Sequence, residues 1–235
     1  MDTEDVSTEV LFKLWPWLEA NKNRLIGGLA AVVLVALVYS YLTWQHGQNE
    51  IACGEAFTQL LFTRTADDSP GQEADAYLAL AGKYPGTQAA QRAELQAAAV
   101  LFEADKYPEA QAAFQKFADH HSGSLAATAD LGLGASLEAQ GKTDEAAAAY
   151  LRISSSHANP GAFLQAQFSL GRIAEQKGQL AEAGNYYQNV AQLGRAGGTL
   201  SEEAQGRAYQ IKQKLSSAQK PAASISTNTT PLLLK

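Results

Sequence analysis

The sequence predicts an all-α protein in which one N-terminal transmembrane helix is followed by an α-solenoid of paired helices. Three observations support this prediction. The composition is rich in Ala, Leu, Gln and Glu, which lose little conformational entropy in helices. A run of twenty residues from Leu25 to Trp44 contains no formally charged side chain. Further along the chain, three segments repeat one pattern at a nearly constant spacing.

The uncharged run predicts a membrane anchor over residues 25–44. Twenty helical residues rise about 30 Å, which is the thickness of the hydrocarbon core of a bilayer. A buried core helix of this length would have a polar face, and a cleaved signal peptide would have a shorter apolar region. We therefore expect a retained span. Its representative positions are Leu25, Val32, Leu34, Leu37 and Trp44.

The basic residues near the span predict its orientation. Lys13, Lys22 and Arg24 precede it, whereas the first basic residue after it is Arg64. Because Lys and Arg are enriched in loops that stay in the cytoplasm, we expect a cytoplasmic N-terminus. The chain after Trp44 then lies on the other side, which in a bacterium is the periplasm. The sequence thus predicts a single-pass protein of the bacterial inner membrane.

Residues 1–24 form the predicted cytoplasmic head. The segment from Val10 to Leu25 has the pattern of a short amphipathic helix at the membrane surface, with Trp15 and Trp17 as interfacial anchors. For residues 1–9 a disordered acidic tail is an equally open alternative.

The repeated pattern occupies the C-terminal part of the chain. Each copy has an Ala followed four positions later by an aromatic residue, and the three alanines are 36 and 37 residues apart. The three pairs are Ala110 and Phe114, Ala146 and Tyr150, and Ala183 and Tyr187. Twelve residues before each of these alanines stands a small residue, which is Ala98, Gly134 or Gly171.

Each copy therefore predicts two helices, A and B, joined by a tight turn. The three turns are expected at Asp105-Lys106, Gly141-Lys142 and Gly178-Gln179. The small residue lets helices A and B approach closely, and we expect the aromatic residue to fill the gap to the next helix pair.

This pattern resembles the tetratricopeptide repeat, which has a small residue in helix A, an Ala and an aromatic residue in helix B, and a period near 34. Two features depart from that family. The longer period predicts extra residues in the inter-repeat turns SGS and NPG. The family's first-helix Trp is absent, and the polar residues Glu94, Asp130 and Gln167 stand there.

The resemblance implies a repeat domain of about four helix pairs over residues 51–215, the first pair being the most diverged. Thr199 and Glu202 have the spacing of a capping box, which predicts a solvating helix from there to about Leu215. Residues 216–235 have no amphipathic period, so we expect a disordered tail.

The sequence contains no pattern that predicts catalysis, a cofactor or a metal site. His120 and His121 are adjacent and point apart on a helix, and Cys53 is the only cysteine, so the usual zinc spacings are missing. The net charge is -6 and Lys and Arg are not clustered, which argues against a nucleic-acid partner. We therefore predict a protein that is not an enzyme and binds other proteins.

The resemblance also implies that partners bind the concave face, which the A helices line. Carried over by position, the groove residues are Arg92, Gln96 and Glu103 in one repeat, Thr128 and Glu138 in the next, and Gln165, Ser169, Arg172 and Glu175 in the third. The Lys and Asn clamp with which some relatives hold C-terminal carboxylates is absent, so a mixed apolar and polar groove is expected. A solvated face or contacts between repeats are the alternative roles of these residues.

The order of head, span and repeats resembles the bacterial inner-membrane family of ancillary Sec translocon subunits. That resemblance implies association with the translocon, periplasmic chaperones and emerging client chains. The segment DKYPEAQAAFQKFADHHSGS is similar to repeats of envelope proteins that coordinate cell division or outer-membrane assembly, which is the alternative function. A homo-oligomer is also open, because Gly27 and Ala31 have small-xxx-small spacing in the span.

Overall fold

A computed structural model describes residues 3–63, 69–154, 159–194 and 198–219. These residues form nine α-helices and no strand, which confirms the predicted all-α class. The helices are α1 (Thr3–Thr63), α2 (Pro70–Lys83), α3 (Gln88–Glu103), α4 (Tyr107–His120), α5 (Ser124–Ala139), α6 (Thr143–Ser154), α7 (Pro160–Gln176), α8 (Leu180–Leu193) and α9 (Thr199–Gln219). Residues 216–219 of the predicted tail are helical and belong to α9, so the predicted disorder does not begin at Ser216. The rest of the predicted tail, from position 220 onward, lies outside the described residues.

From Thr3 onward, helix α1 contains the predicted head, the predicted span and the first repeat helix without a break. Its Glu19–Thr63 part is long and apolar enough to cross a membrane, with a mean hydropathy of 2.3 in the most apolar window. The five representative anchor positions are between 41% and 65% exposed. Among the described residues these apolar side chains are therefore not part of a buried core, as expected of a helix that faces lipid.

The N-terminal end of α1 differs from both alternatives that the sequence left open. Residues 3–9 are helical, so they do not form an extended tail. The helix continues through Pro16, so no separate surface helix precedes the span. Proline removes one backbone hydrogen bond, and here the helical turns on either side of it remain in register.

The helices after α1 stack as a solenoid in which each packs against its neighbours in sequence. Further contacts join α1 to α3, α3 to α5 and α5 to α7. Within the described parts of the chain no comparable set of contacts joins α4, α6 and α8. The A helices α3, α5 and α7 are therefore closer together than the B helices, which makes their side the concave one.

The three predicted turns between helices A and B share one geometry. The turn residues Asp105, Gly141 and Gly178 have φ angles of 60°, 76° and 72°. In each turn the next residue donates its N–H five positions back, for example Lys106 to the Leu101 carbonyl at 2.9 Å. This is a Schellman motif, which satisfies the last carbonyls of helix A and reverses the chain.

In two of the three repeats the aromatic residue packs closely on helix A of its own pair. A Cβ atom built on Gly134 would lie less than 3.0 Å from the ring of Tyr150, and Gly171 has the same relation to Tyr187. These tyrosines also reach the next A helix, because Tyr150 meets Ser169 of α7 and Arg207 of α9 lies over the Tyr187 ring. The Phe114 ring lies against Gly132 of the next pair. The missing Cβ atoms explain these close contacts, because a ring settles where the neighbouring helix has no side chain.

A capping box is present at another helix than the one predicted. Thr199 is already helical, because Glu202 donates its N–H to the Gly198 carbonyl at 3.0 Å and so makes Gly198 the N-cap. Glycine is also tolerated at that position. The reciprocal bonds occur at α2, where Ser69 is the N-cap and pairs with Gln72.

The anchor helix is joined to the repeats by packing and by one carboxylate. Glu50 of α1 accepts the backbone N–H groups of Gln88 at 2.8 Å and Ala89 at 3.0 Å. Thr87 accepts the next one, from Ala90, at 3.1 Å. The first turn of α3 therefore has its unpaired donors satisfied, partly by a side chain from the anchor helix.

A candidate protein-binding groove

Two adjoining cavities occupy the concave side of the repeat domain. The apolar cavity, of about 530 Å³, is lined by Phe57, Leu95, Ala99, Phe114 and Leu131 together with Arg92. The polar cavity, of about 820 Å³, is lined by Thr128, Glu138, Asn159, Gln165, Ser169 and Arg172. Thr128, Leu131 and Ala135 border both cavities, so the two form one continuous groove.

Seven of the nine residues predicted for the groove line it. Arg92 and Gln96 border the apolar cavity, and Thr128 borders both. The polar cavity brings together the other four, which are Glu138, Gln165, Ser169 and Arg172. Glu103 and Glu175 border neither cavity. Position alone does not test binding, so their role in binding partners stays a prediction.

A three-residue network crosses from one repeat to the next in the polar cavity. The Glu138 carboxylate accepts a hydrogen bond from the Tyr150 hydroxyl at 2.8 Å and pairs with Arg172 at 2.7 Å. The Glu138 side chain is only 15% exposed. Burial of the ring and the adjacent carboxylate raise the pKa of Tyr150 above its usual value. Arg172 is thus already neutralised by this chain.

The same network recurs one repeat further on. Glu175 accepts hydrogen bonds from Tyr187 at 3.2 Å, Arg207 at 3.5 Å and Lys214 at 3.3 Å. Burial raises the pKa of Tyr187 to about 12, with Arg207 opposing the shift and Glu175 adding to it. Helix α9 therefore occupies the place that a further A helix would take.

In the first full repeat the network is replaced by apolar residues. Phe102 and Phe114 stand where Glu138 and Tyr150 stand one repeat later, and Ala135 stands in place of Arg172. The groove therefore changes from apolar at α3 and α5 to charged and hydrogen-bonded at α7 and α9. This change accounts for the different lining of the two cavities.

Polar pairs occupy the positions where the family has its first-helix Trp. Glu94 lies 3.1 Å from His121, and Gln167 accepts from Asn189 at 3.5 Å. Asp130 pairs with Arg152, and burial raises the pKa of that carboxyl. In each case helix A is joined to helix B by a side-chain contact in place of a large aromatic ring.

Several residues that line the groove were not among the nine predicted ones, and Phe57 and Asn159 are two of them. Phe57 lies on α1, in the diverged first repeat, where no motif match located it. Asn159 precedes α7, caps it by accepting from Ala162 at 3.1 Å, and donates to Thr128 at 3.3 Å. The signal for Asn159 was the Asn-Pro pair, which is typical of a helix N-terminus.

Comparison with known families supports the repeat assignment. The model of the tetratricopeptide repeat-like domain family matches residues 16–213. The chain belongs to this family. The match begins within α1 and ends within α9, so it includes the whole groove. A comparison with curated proteins gives no match.

Domains of this family are modules for interaction with other proteins. Within the described residues no group of three or more His, Cys, Asp or Glu side chains is placed to hold a metal ion. Among the described residues that line the groove, the titratable group with a shifted pKa is the Tyr150 hydroxyl, which the Glu138 carboxylate already binds.

Proposed function

We propose that the protein is a membrane-anchored interaction module whose concave groove binds segments of other proteins. The observation that supports this most directly is the continuous groove on the A helices, in a domain joined by α1 to a span-length apolar helix. Trp44 and Glu50 are six helical residues apart, a rise of about 9 Å. The groove is therefore held close to the membrane surface.

We place the groove on the periplasmic side of a bacterial inner membrane. Support comes from the basic residues Lys13, Lys22 and Arg24 before the span.

Cysteine labelling tests this orientation. Cys53 is fully buried and does not compete for labelling. In spheroplasts, a membrane-impermeant maleimide is expected to label a Ser216→Cys variant and to leave an Asn21→Cys variant unlabelled. Labelling of the Asn21→Cys variant and not of the Ser216→Cys variant would contradict the periplasmic location of the groove.

The role proposed at that site is translocon-associated or chaperone-like. It is supported by the order of head, span and repeats, which resembles the ancillary Sec translocon subunits. A scaffold or adaptor for cell division or outer-membrane assembly is the second candidate, favoured by the likeness of the segment around Tyr107 and Phe114 to repeats of those proteins.

Photocrosslinking in native membranes separates these functions. A benzoylphenylalanine placed at Gln165, in the polar cavity, is expected to capture translocon components, chaperones or client chains. The same group at Ala112, exposed on the B helix α4, is the matched control. Capture of division or assembly proteins alone would support the second candidate. Crosslinks formed only between copies of the chain would instead favour the homo-oligomer. Equal crosslinking from Gln165 and Ala112 would show that the groove is not the binding surface.

A further inference from the structure

Arg92 is an unpaired cation at the edge of the apolar cavity. Its side chain is exposed on α3, and no ion pair or hydrogen bond joins that side chain to any described residue. Arg172, which lines the polar cavity, differs in this respect because it is paired with Glu138, and Arg207 of α9 is paired with Glu175 and Glu203. Among these three arginines, Arg92 alone therefore has no partner among the described residues, in a chain whose net charge is -6.

The surroundings of Arg92 favour a carboxylate as its partner. A guanidinium binds a carboxylate through two parallel hydrogen bonds, and the attraction grows where apolar walls exclude water. Phe57, Leu95 and Leu131 form such walls beside it. The cavity volume of about 530 Å³ is within the range of roughly 300–1,000 Å³ that is typical of ligand pockets.

We propose that the apolar cavity takes a partner segment in which an acidic side chain adjoins bulky apolar ones. Arg92 binds the carboxylate, and the apolar side chains enter between the cavity walls that Phe57, Leu95 and Leu131 form. This assignment rests on the proposed function of the groove and names the partner chemistry that one end of it selects. It differs from a C-terminal carboxylate clamp, because the acid here is a side chain within the segment. The chain's own residues 216–235 contain no acidic side chain and so lack the feature that Arg92 selects.

The test uses the full-length protein in phosphatidylcholine nanodiscs and three capped, fluorescein-labelled peptides with Ser-Gly flanks. The peptides carry Leu-Glu-Phe, Leu-Gln-Phe or Ser-Glu-Ser at the centre. Fluorescence polarisation is expected to give the Leu-Glu-Phe peptide a Kd about tenfold below that of the Leu-Gln-Phe peptide, which lacks the charge-assisted hydrogen bonds to Arg92. Its Kd is expected to be about tenfold below that of the Ser-Glu-Ser peptide as well, because that peptide buries no apolar side chain in the cavity. The preference for Glu over Gln is expected to decrease as salt is raised.

Three variants test whether Arg92 causes the preference for the Glu peptide over the Gln peptide. Arg92→Gln is expected to abolish the preference for Glu over Gln, and Arg92→Lys to retain part of it, because Lys keeps the charge and loses the bidentate geometry. Lys116→Gln removes an equal charge from the outer helix α4 and is expected to leave the preference intact. Circular dichroism confirms that each variant is folded.

Equal Kd values for the Glu and Gln peptides, or a preference that survives Arg92→Gln, would overturn the assignment. Stronger binding of a peptide with the sequence of residues 216–235 would overturn it in favour of the chain's own tail. If no peptide binds while the Gln165 crosslinks form, the acidic-segment assignment fails and the proposed function stands. If neither peptide binding nor the Gln165 crosslinks are observed, the acidic-segment assignment and the proposed function both fail.

Discussion

The two glycines beneath the repeat tyrosines show how one missing methyl group sets the spacing of a helix pair. Gly134 lies against Tyr150 so closely that any Cβ atom would overlap the ring. The ring is 2% exposed, and its hydroxyl is held by Glu138, so it has little room to move away. The conformational freedom of glycine is therefore not what selects it here.

We expect Gly134→Ala to destabilise the repeat domain despite the better helix propensity of alanine. Overpacking typically costs about 1–3 kcal/mol, which exceeds the gain of about 1 kcal/mol from replacing a helical glycine. Gly206→Ala in α9 is the matched control, because no atom lies within 4 Å of its Cβ position. Urea unfolding of the detergent-solubilised chain is expected to show a lower midpoint for the first and a higher one for the second. A higher midpoint for both would show that the ring is free to shift.

The raised pKa of Tyr187 predicts that the protein loses stability at alkaline pH. Its pKa in the folded state is raised to about 12, from an ordinary value of 10.0, by burial. Below pH 10 both states keep the proton, so the group contributes no pH dependence. Between pH 10 and about 12 the unfolded chain releases the proton first, so the free energy of unfolding falls by up to about 1.4 kcal/mol per pH unit. Tyr187→Phe is expected to reduce that slope in urea titrations from pH 9 to 11.5, and an unchanged slope would contradict the assignment.

At the scale of single residues, the sequence identified the positions of the packing tyrosines but not the contacts of their hydroxyl groups. The spacing of Ala, Gly and aromatic residues identified both tyrosines as packing residues. It did not show that their hydroxyls meet Glu138 and Glu175, because each network also needs an arginine from the next repeat. Arg172 is 34 residues from Glu138, and only the stacking of the solenoid brings the two together.

At the scale of helices, the joint between α1 and α3 determines how the anchor holds the groove. The Glu50 carboxylate binds two N–H groups at the positive end of the α3 dipole, so it acts as a cap supplied by another helix. A rigid connection to the membrane therefore depends on one side chain as well as on apolar packing.

We expect Glu50→Ala to loosen that joint. Loss of a capping side chain typically costs about 0.5–2 kcal/mol, and the freed N–H groups should exchange hydrogen faster. Glu55→Ala is the control, since Glu55 is exposed on the same helix. Hydrogen exchange measured on peptides that contain Gln88 and Ala89 is expected to rise only in the first variant. Equal exchange in both variants would mean that packing alone fixes α1 on the repeats.

The helices themselves were largely predictable because their signals are local. Turn residues, small residues and aromatic residues gave every A and B helix of the three clear repeats, and the uncharged run gave the apolar part of α1. One local prediction failed, because the spacing of Thr199 and Glu202 does not by itself fix the N-cap. Gly198, and not Thr199, is the N-cap of α9, and the reciprocal capping box lies at Ser69.

For the whole molecule, the sequence predicted which helices line the groove but not that the groove is divided into an apolar end and a charged end. The apolar and charged ends follow from which residues of neighbouring repeats face each other, and that depends on the closeness of α3, α5 and α7. Phe57 enters the groove from the anchor helix for the same reason. The binding surface and the membrane attachment thus share one helix.

Filling the groove at its centre tests whether its two ends act as one binding surface. Ala135 borders both cavities, so Ala135→Leu narrows the passage between them while keeping a good helix former. Crosslinks from a benzoylphenylalanine at Gln165 to captured partners are expected to fall several-fold, because a continuous segment no longer fits. Ala148→Leu, exposed on α6, adds the same volume outside the groove and is expected to leave the crosslinks unchanged. If Ala135→Leu also leaves them unchanged, each cavity binds alone, and the repeats present two short sites where we expect one long groove.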